Sequence, residues 1–374
     1  MANRVIALHE IRYSDLESSS PPHAVVNQAC ITLKSNVIDV LGPSGPGLLS
    51  ITGVPQQILK LRRSLLIEAR ELALIHPDLI KRVLKEHKLG SDVALKDPRR
   101  TVSSFATNLK FEQSFSIFNI IEKEENSEKA DCSNLRFKLE MLASWMRNLG
   151  LLIARLCDEA IGGNELEQSL MESESAKGRL IHYHHSVDYT SEERSGVTKT
   201  KSPTTNEPDL WQQWHYDYGI FTVLTAPMFL SPLGLEATSY PDELSCLQIF
   251  DKKEDEIKMV KVDPESFLIQ VGESAEVLSK GKLQATLHSV FKPMNDRSLS
   301  REMFVLFLQP SWKKTFEVSL SDEANNSVNQ FNTKFNVLHT IVPPLSSRLK
   351  KGMTFAEFSR ETTKQYYGVT GLQS

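Results

Sequence analysis

The chain has 374 residues, a length that fits one large domain or two ordinary ones. Its 43 Lys and Arg against 47 Asp and Glu leave a formal net charge of −4, which offers no general attraction to a phosphate backbone or an anionic lipid and so excludes a dedicated nucleic-acid binder. Apolar residues at 40%, charged residues at 24% and 17 each of Gly and Pro exclude a disordered or collagen-like chain.

The first residues lack the apolar core of a signal peptide, and no apolar stretch is long enough to span a bilayer, so a soluble cytoplasmic protein is expected. Residues 1–34, interrupted by Ser-Ser-Ser-Pro-Pro at 18–22, read as an irregular leading segment. Residues 37–41 (Val-Ile-Asp-Val-Leu) then read as a buried strand, 42–47 as a Gly- and Pro-rich turn, and 48–52 as a second strand. Ile58, Leu61, Leu65, Ala69 and Leu72 recur at helical spacing behind Pro55, predicting a helix over 55–75; a shorter one follows His76-Pro77 and ends near Gly90. Residues 91–134 are polar and give no clear period. From Phe137 to Leu156 an apolar stripe that includes Trp145 and Met146 predicts a long core helix ending at Gly162-Gly163.

Beyond about residue 178 the pattern becomes β-rich, with runs at 179–183, 219–224, 246–250, 257–262, 267–271, 286–291 and 303–307, as in a sandwich or barrel. The polar stretch 188–209 reads as a loop between two of these strands, and 354–366 as a closing helix. The natural divisions are a mostly helical region at 1–175, a β-domain at 176–312 and a helical tail at 313–374. Cys30, Cys132, Cys157 and Cys246 form no Cys-x-x-Cys pair, so neither a zinc ribbon nor a disulfide framework is expected.

The chemistry concentrates in Trp214-His215-Tyr216-Asp217-Tyr218-Gly219. On a strand, residues two apart share a face, so His215 and Asp217 present an imidazole and a carboxylate together. A distant third ligand completes the two-His, one-carboxylate set that holds non-haem Fe(II) and leaves positions open. His288, in another β-like run, is the candidate. Arg301 heads the apolar run that ends in Gln309-Pro310, where a guanidinium can clamp a carboxylate with two parallel hydrogen bonds. The run His182-Tyr183-His184-His185 has no neighbouring carboxylate or Cys in sequence, so no second metal is expected there. Trp211, Trp214, Tyr218 and Phe221 flank the His-x-Asp segment as packing or pocket-lining aromatics.

In this order and spacing the sequence resembles the 2-oxoglutarate and Fe(II)-dependent oxygenases, in particular the plant-type group similar to isopenicillin N synthase. The likeness runs through His215-x-Asp217, residues 268–273 (Leu-Ile-Gln-Val-Gly-Glu), His288, Arg301, the strand Arg179-Leu180-Ile181-His182-Tyr183 and the N-terminal region from Val37-Ile38-Asp39 to Gly53. It implies an α+β fold, with a double-stranded β-helix (jelly-roll, cupin-like) core and flanking helices. It implies Fe(II) held by His215, Asp217 and His288, and 2-oxoglutarate held by Arg301 with the Tyr183 hydroxyl. O2 and a small organic substrate complete the site, and decarboxylation to succinate and CO2 is coupled to hydroxylation, demethylation or desaturation. The 188–209 loop and the helical tail would then shield the site, and nothing in the sequence calls for an obligate partner, so a monomer is expected.

Three features depart from the pattern. Ile181 stands where the family has Asn, His184-His185 where it has Pro-Pro, and Met303 where an Arg-x-Ser motif has its Ser. Two other readings therefore stay open, an Fe(II) oxidase that does not use 2-oxoglutarate and a catalytically silent binding protein on the same fold.

Overall fold

The computed structural model describes residues 4–19, 28–95, 100–111, 135–185, 210–237, 244–293, 299–317 and 341–367. The N-terminal part comprises β1 (Arg4–Ala7), β2 (Glu10–Arg12), α1 (Tyr13–Ser18), α2 (Gln28–Leu41), β3 (Leu48–Thr52), α3 (Gln56–Leu74), α4 (Pro77–Glu86), β4 (Gly90–Ser91) and β5 (Val102–Lys110). Helices α5 (Leu135–Ile161) and α6 (Glu165–Glu172) lead into β6 (Ser175–Tyr183), β7 (Leu210–His215), β8 (Phe221–Thr225), β9 (Met228–Leu230), β10 (Leu244–Asp251) and β11 (Glu256–Lys261). The chain continues through β12 (Phe267–Val271), α7 (Glu273–Leu278), β13 (His288–Phe291), β14 (Ser300–Leu308), α8 (Leu345–Arg348) and α9 (Phe355–Tyr367).

The strands form two mixed sheets. One has the order β1-β11-β10-β13-β7; the other runs β2-β3-β12-β8-β14-β6-β5-β4, with β9 also on β14. Alternation along each strand sends one set of side chains between the sheets. There Tyr183, Leu224, Leu268, Met303 and Val305 of the larger sheet pack with Trp211, Leu247 and Ile249 of the smaller one. The opposite face of the larger sheet, including Leu180, Phe304 and Leu306, packs on α3 and α5. The fold is thus α+β, two facing sheets with helices on the outer face of one.

Helix α5 lies close against that face at Gly150. A Cβ there would sit 2.1 Å from Leu308 Cδ1, so a larger side chain would require that leucine to turn aside. Leu139, Leu142, Met146, Leu149 and Ile153 are fully buried along the same helix, each worth roughly 1.5–3 kcal/mol of hydrophobic stabilisation.

Helices α3 to α5 and α9, the strand at 48–52 and the β-rich half follow the sequence reading. Three segments do not. Residues 37–41 end α2 rather than forming a strand: Val37 and Leu41, one helical turn apart, are fully buried, and a five-residue apolar run does not separate the two periods. Gly42 N–H donates to Ile38 O at 2.8 Å and closes the helix. Residues 4–18, expected to be irregular, supply β1 and β2, which pair in parallel with β11 and β3, and α1. The polar stretch after residue 91 contains β5, whose buried positions Ser103, Ser104 and Thr107 are polar but hydrogen-bonded to His184, Asp92 and Lys88 O, so hydrophobicity hides the strand. The expected loop at 188–209 lies outside the described residues. No helix among the described residues is long and apolar enough to cross a membrane.

Candidate metal centre and its cradle

Antiparallel strands β7 and β13 pair His215 directly with His288, which brings the ring centroids to 4.1 Å. Asp217 lies two residues past the end of β7, not on the same strand face as the sequence implied. It is held instead by its backbone, whose carbonyl accepts from Glu273 N–H at 2.8 Å. A Cβ at Gly272 would lie 2.3 Å from Gly219 O and 3.0 Å from Asp217 O, so glycine is what lets the β12–α7 turn close on this segment. The carboxylate still meets both rings, with Oδ1 3.9 Å from His215 Nε2 and Oδ2 4.0 Å from His288 Nε2. One ligand atom from each of the three residues lies within 4.8 Å of the others, and they form a potential metal-ligating group among the described residues.

The hydrogen bonds around the three groups fix their lone pairs. His215 Nδ1 is 2.7 Å from Gln213 O and His288 Nδ1 is 3.0 Å from Thr286 O. A carbonyl only accepts, so each Nδ1 carries a proton, which makes Nε2 the nitrogen each ring can offer as a ligand. Burial and the neighbouring His288 push the His215 pKa down to about 4, which keeps that imidazole neutral at pH 7. Asp217 Oδ2 accepts from Thr222 Oγ1 at 2.6 Å and from Gln270 Nε2 at 2.8 Å, which aims the carboxylate.

Arg301 and Tyr183 face one another across β14 and β6, the guanidinium carbon 4.8 Å from the ring centroid. Arg301 is 1% exposed. Its Nε donates to Ser245 O at 2.9 Å, a carbonyl turned by a bulge in β10 where Cys246 adopts φ 61°. Its Nη1 is buried without a hydrogen-bond partner among the described residues, as is Nε1 of Trp211, whose ring stands 5.1 Å from that of Tyr183. Tyr183 O–H donates to Gln212 Oε1 at 3.3 Å, and Gln212 Nε2 donates to His215 Nε2 at 3.0 Å. Gln212 therefore links the histidine pair to the arginine. Two of the three departures named from the sequence also meet: Ile181 and Met303 are cross-strand partners and both are buried in the inter-sheet core.

A narrow cleft open to solvent reaches His215 and Asp217 of this group, with Arg179, Phe307, Tyr218 and Tyr366 on its walls. Helix α9 supplies Thr362, Thr363 and Tyr366 to this wall. It is pinned there, because Arg348 makes a two-point pair with Glu273 and donates to Thr362 Oγ1 at 3.0 Å. Tyr216 N–H donates to Tyr366 Oη at 3.2 Å. The tail is thus a fixed wall. Of the flanking aromatics, Tyr218 lines the pocket and Trp211 the cradle, while Trp214 and Phe221 are packed in separate apolar clusters.

Thr222, Gln212 and Arg348 escaped the sequence reading, and Gln270 and Glu273 were quoted within 268–273 without a role. A usable signal existed for Gln270, the polar residue of an otherwise apolar strand, since a buried polar residue needs a partner.

No protein-family model and no curated protein sequence matches the chain. Solved structures do. JOX2 in complex with 2OG, Fe and JA aligns with TM-score 0.56 and 14% identity over 96% of this chain and 86% of that one. A full-length Neurospora crassa protein in complex with α-KG and 5-formyluracil gives 0.54 and 13% over 90% and 96%. The rice dioxygenase for auxin oxidation gives 0.51 and 17% over 93% and 98%. At the level of fold, then, the likeness read from the sequence holds: this chain shares the fold of these three proteins.

Proposed function

We propose that this chain is a non-haem Fe(II) and 2-oxoglutarate-dependent oxygenase acting on a small organic substrate, with the two sheets forming a double-stranded β-helix. The observation that carries the reading is the convergence of two imidazoles anchored through Nδ1 and one aimed carboxylate, their ligand atoms within 4.8 Å of one another, beside a buried arginine with an unmatched donor. His215, Asp217 and His288 would hold Fe(II) as the two-His, one-carboxylate set. Arg301 would hold the distal carboxylate of 2-oxoglutarate, with Tyr183 and Trp211 beside it. The fit is chemical: neutral imidazoles and a carboxylate suit a ferrous ion, and an orphaned buried guanidinium N–H is costly unless an acceptor arrives. When bound, the iron activates O2 and couples loss of CO2 from 2-oxoglutarate to oxidation of a substrate C–H bond.

The protein's own part is positional. Thr222 and Gln270 hold the Asp217 carboxylate, and the Gln213 and Thr286 carbonyls hold the imidazole tautomers, while the Gln212 amide would give up His215 Nε2 to the metal. Helix α9 narrows the mouth and limits water at the site.

Anaerobic titration with Fe(II) and then 2-oxoglutarate tests the reading. A saturable visible charge-transfer band is expected, lost in His288→Ala and Asp217→Ala together with stoichiometric iron. Full retention of Fe(II) by either variant overturns the assignment. The apolar Ile181–Met303 contact favours one second reading, an Fe(II) oxidase that takes no 2-oxoglutarate; iron binding without the band selects it. Failure to bind iron at all selects the silent binding protein.

A further inference from the structure

Arg179 is prepared for an anion in a way that the iron and 2-oxoglutarate sites do not use. It lies on β6 with its side chain in the wall of the pocket that reaches His215 and Asp217. Its guanidinium is fixed from two sides: Asp92 Oδ2 stands 2.7 Å from Nε, and the guanidinium carbon lies 5.1 Å from the centroid of the Phe307 ring. Asp92 is itself held, accepting from Ser104 Oγ at 3.1 Å. A guanidinium ion-paired on its Nε side, though without hydrogen-bond geometry there, and stacked on an aromatic face keeps the edge that carries its two terminal amino groups for a further ligand. Lys177, two residues earlier on the same strand face, places a second cation 3.6 Å from the same Asp92 and also lines the pocket.

The rest of the wall limits what can follow the anion in. Phe307, Tyr216, Tyr218 and Tyr366 give aromatic surface, and Thr362 and Thr363 give hydroxyls near the mouth. A single planar fork matches the two oxygens of a carboxylate, and aromatic walls match an apolar skeleton.

We infer that the substrate is a small aryl or alkyl monocarboxylate, its carboxylate held by Arg179 and its carbon skeleton laid along Phe307 and the tyrosines toward His215 and Asp217. This rests on the oxygenase reading for what happens at the skeleton, but not for the binding itself. Arg179 is a specificity residue, separate from Arg301, and sets which end of the substrate is turned away from the metal.

The test is equilibrium binding of phenylacetate, 3-phenylpropionate and octanoate, each against its primary amide, to the full chain. Titrations are made both metal-free and with Fe(II) and saturating 2-oxoglutarate, so that Arg301 is already occupied. At least one acid is expected to bind saturably, with its amide weaker by about 30-fold, the loss typical of removing one partner of a desolvated charge pair. Arg179→Gln should lose the acid by a similar factor and accept acid and amide alike, while Arg179→Lys keeps part of the preference. Circular dichroism and the ferrous band of each variant report on its fold and its iron and co-substrate sites. Equal binding of acids and amides, unchanged acid binding in Arg179→Gln, or no binding of any acid overturns the inference. Loss of the band in the wild-type chain with acid selectivity intact would instead overturn the oxygenase reading and leave this one standing.

Discussion

Strands β6 and β14 carry two polar pairs one register step apart, Tyr183 opposite Arg301 and His182 opposite Glu302, and alternation sends them to opposite faces of the sheet. On the helix-facing side the polar groups close on themselves. His182 Nδ1 lies 3.0 and 2.9 Å from the two Glu302 oxygens, His182 Nε2 3.2 Å from His184 Nδ1, and His184 Nε2 2.7 Å from Ser103 Oγ. Ser300 Oγ donates to Glu302 Oε1 at 2.6 Å. On the face between the sheets, Arg301 Nη1 and Trp211 Nε1 have no partner among the described residues. Both sides are buried, so burial does not separate them. The difference is completion: a satisfied buried network contributes to structure, while an unsatisfied one is tolerated where a ligand supplies the missing acceptor.

The largest expected effect breaks the closed side. Glu302→Ala strips the carboxylate from His182 and Ser300 in a fully buried site, and should cost about 3–5 kcal/mol of stability. Urea unfolding measures it, and a loss below about 1 kcal/mol would mean that the network does not hold the sheet. The open side should respond in the opposite manner. Arg301→Met removes a buried charge whose donors are not all met, so stability should stay level or rise, while 2-oxoglutarate affinity falls by about 30-fold or more, read from the ferrous band. A stability loss as large as that of Glu302→Ala would show Arg301 to be structural and would erase the contrast. A smaller effect of the first kind is expected from Ser103→Ala, about 1–2 kcal/mol for the hydrogen bonds lost to His184 and Arg100, with the band unchanged.

The same contrast explains what was legible in the sequence. His215, Asp217 and His288 could be read because one strand motif and one distant β-run carry them, and Arg301 because a charge at the head of an apolar strand is conspicuous. The closed network was invisible, because the carboxylate missing from the neighbourhood of His182 in sequence arrives as Glu302, from a strand 120 residues away. Strand β5 was hidden for the same reason: Ser103 and Thr107 look like loop residues until their partners are known. Residues 37–41 misled in the other direction, since a short apolar run satisfies either period and only Val37 and Leu41, packed one turn apart, decide it. Local pattern therefore reveals the ligands, whereas the groups that orient them, such as Gln270 and Arg348, depend on cross-strand register and tertiary packing.

The subtlest expectation concerns the apolar contact within the open side. Ile181 and Met303 oppose one another in register and share the core with Tyr183, so exchanging either alone for a polar residue leaves that group against an apolar neighbour. Met303→Ser alone should cost about 2 kcal/mol of stability or more, through lost burial and the cavity left beside Ile181. The double change Ile181→Asn with Met303→Ser lets the amide and the hydroxyl bond one another or a bound carboxylate, so its cost should fall short of the sum of the two single changes. If Arg301 holds 2-oxoglutarate, the added hydroxyl should tighten binding by about 1.5–3 kcal/mol, less what is spent on reorganisation. A double variant that binds 2-oxoglutarate no better than the parent, at undiminished stability, would mean that the co-substrate does not pass beside this pair, and that the apolar contact belongs to the packing of the sheets rather than to the cradle.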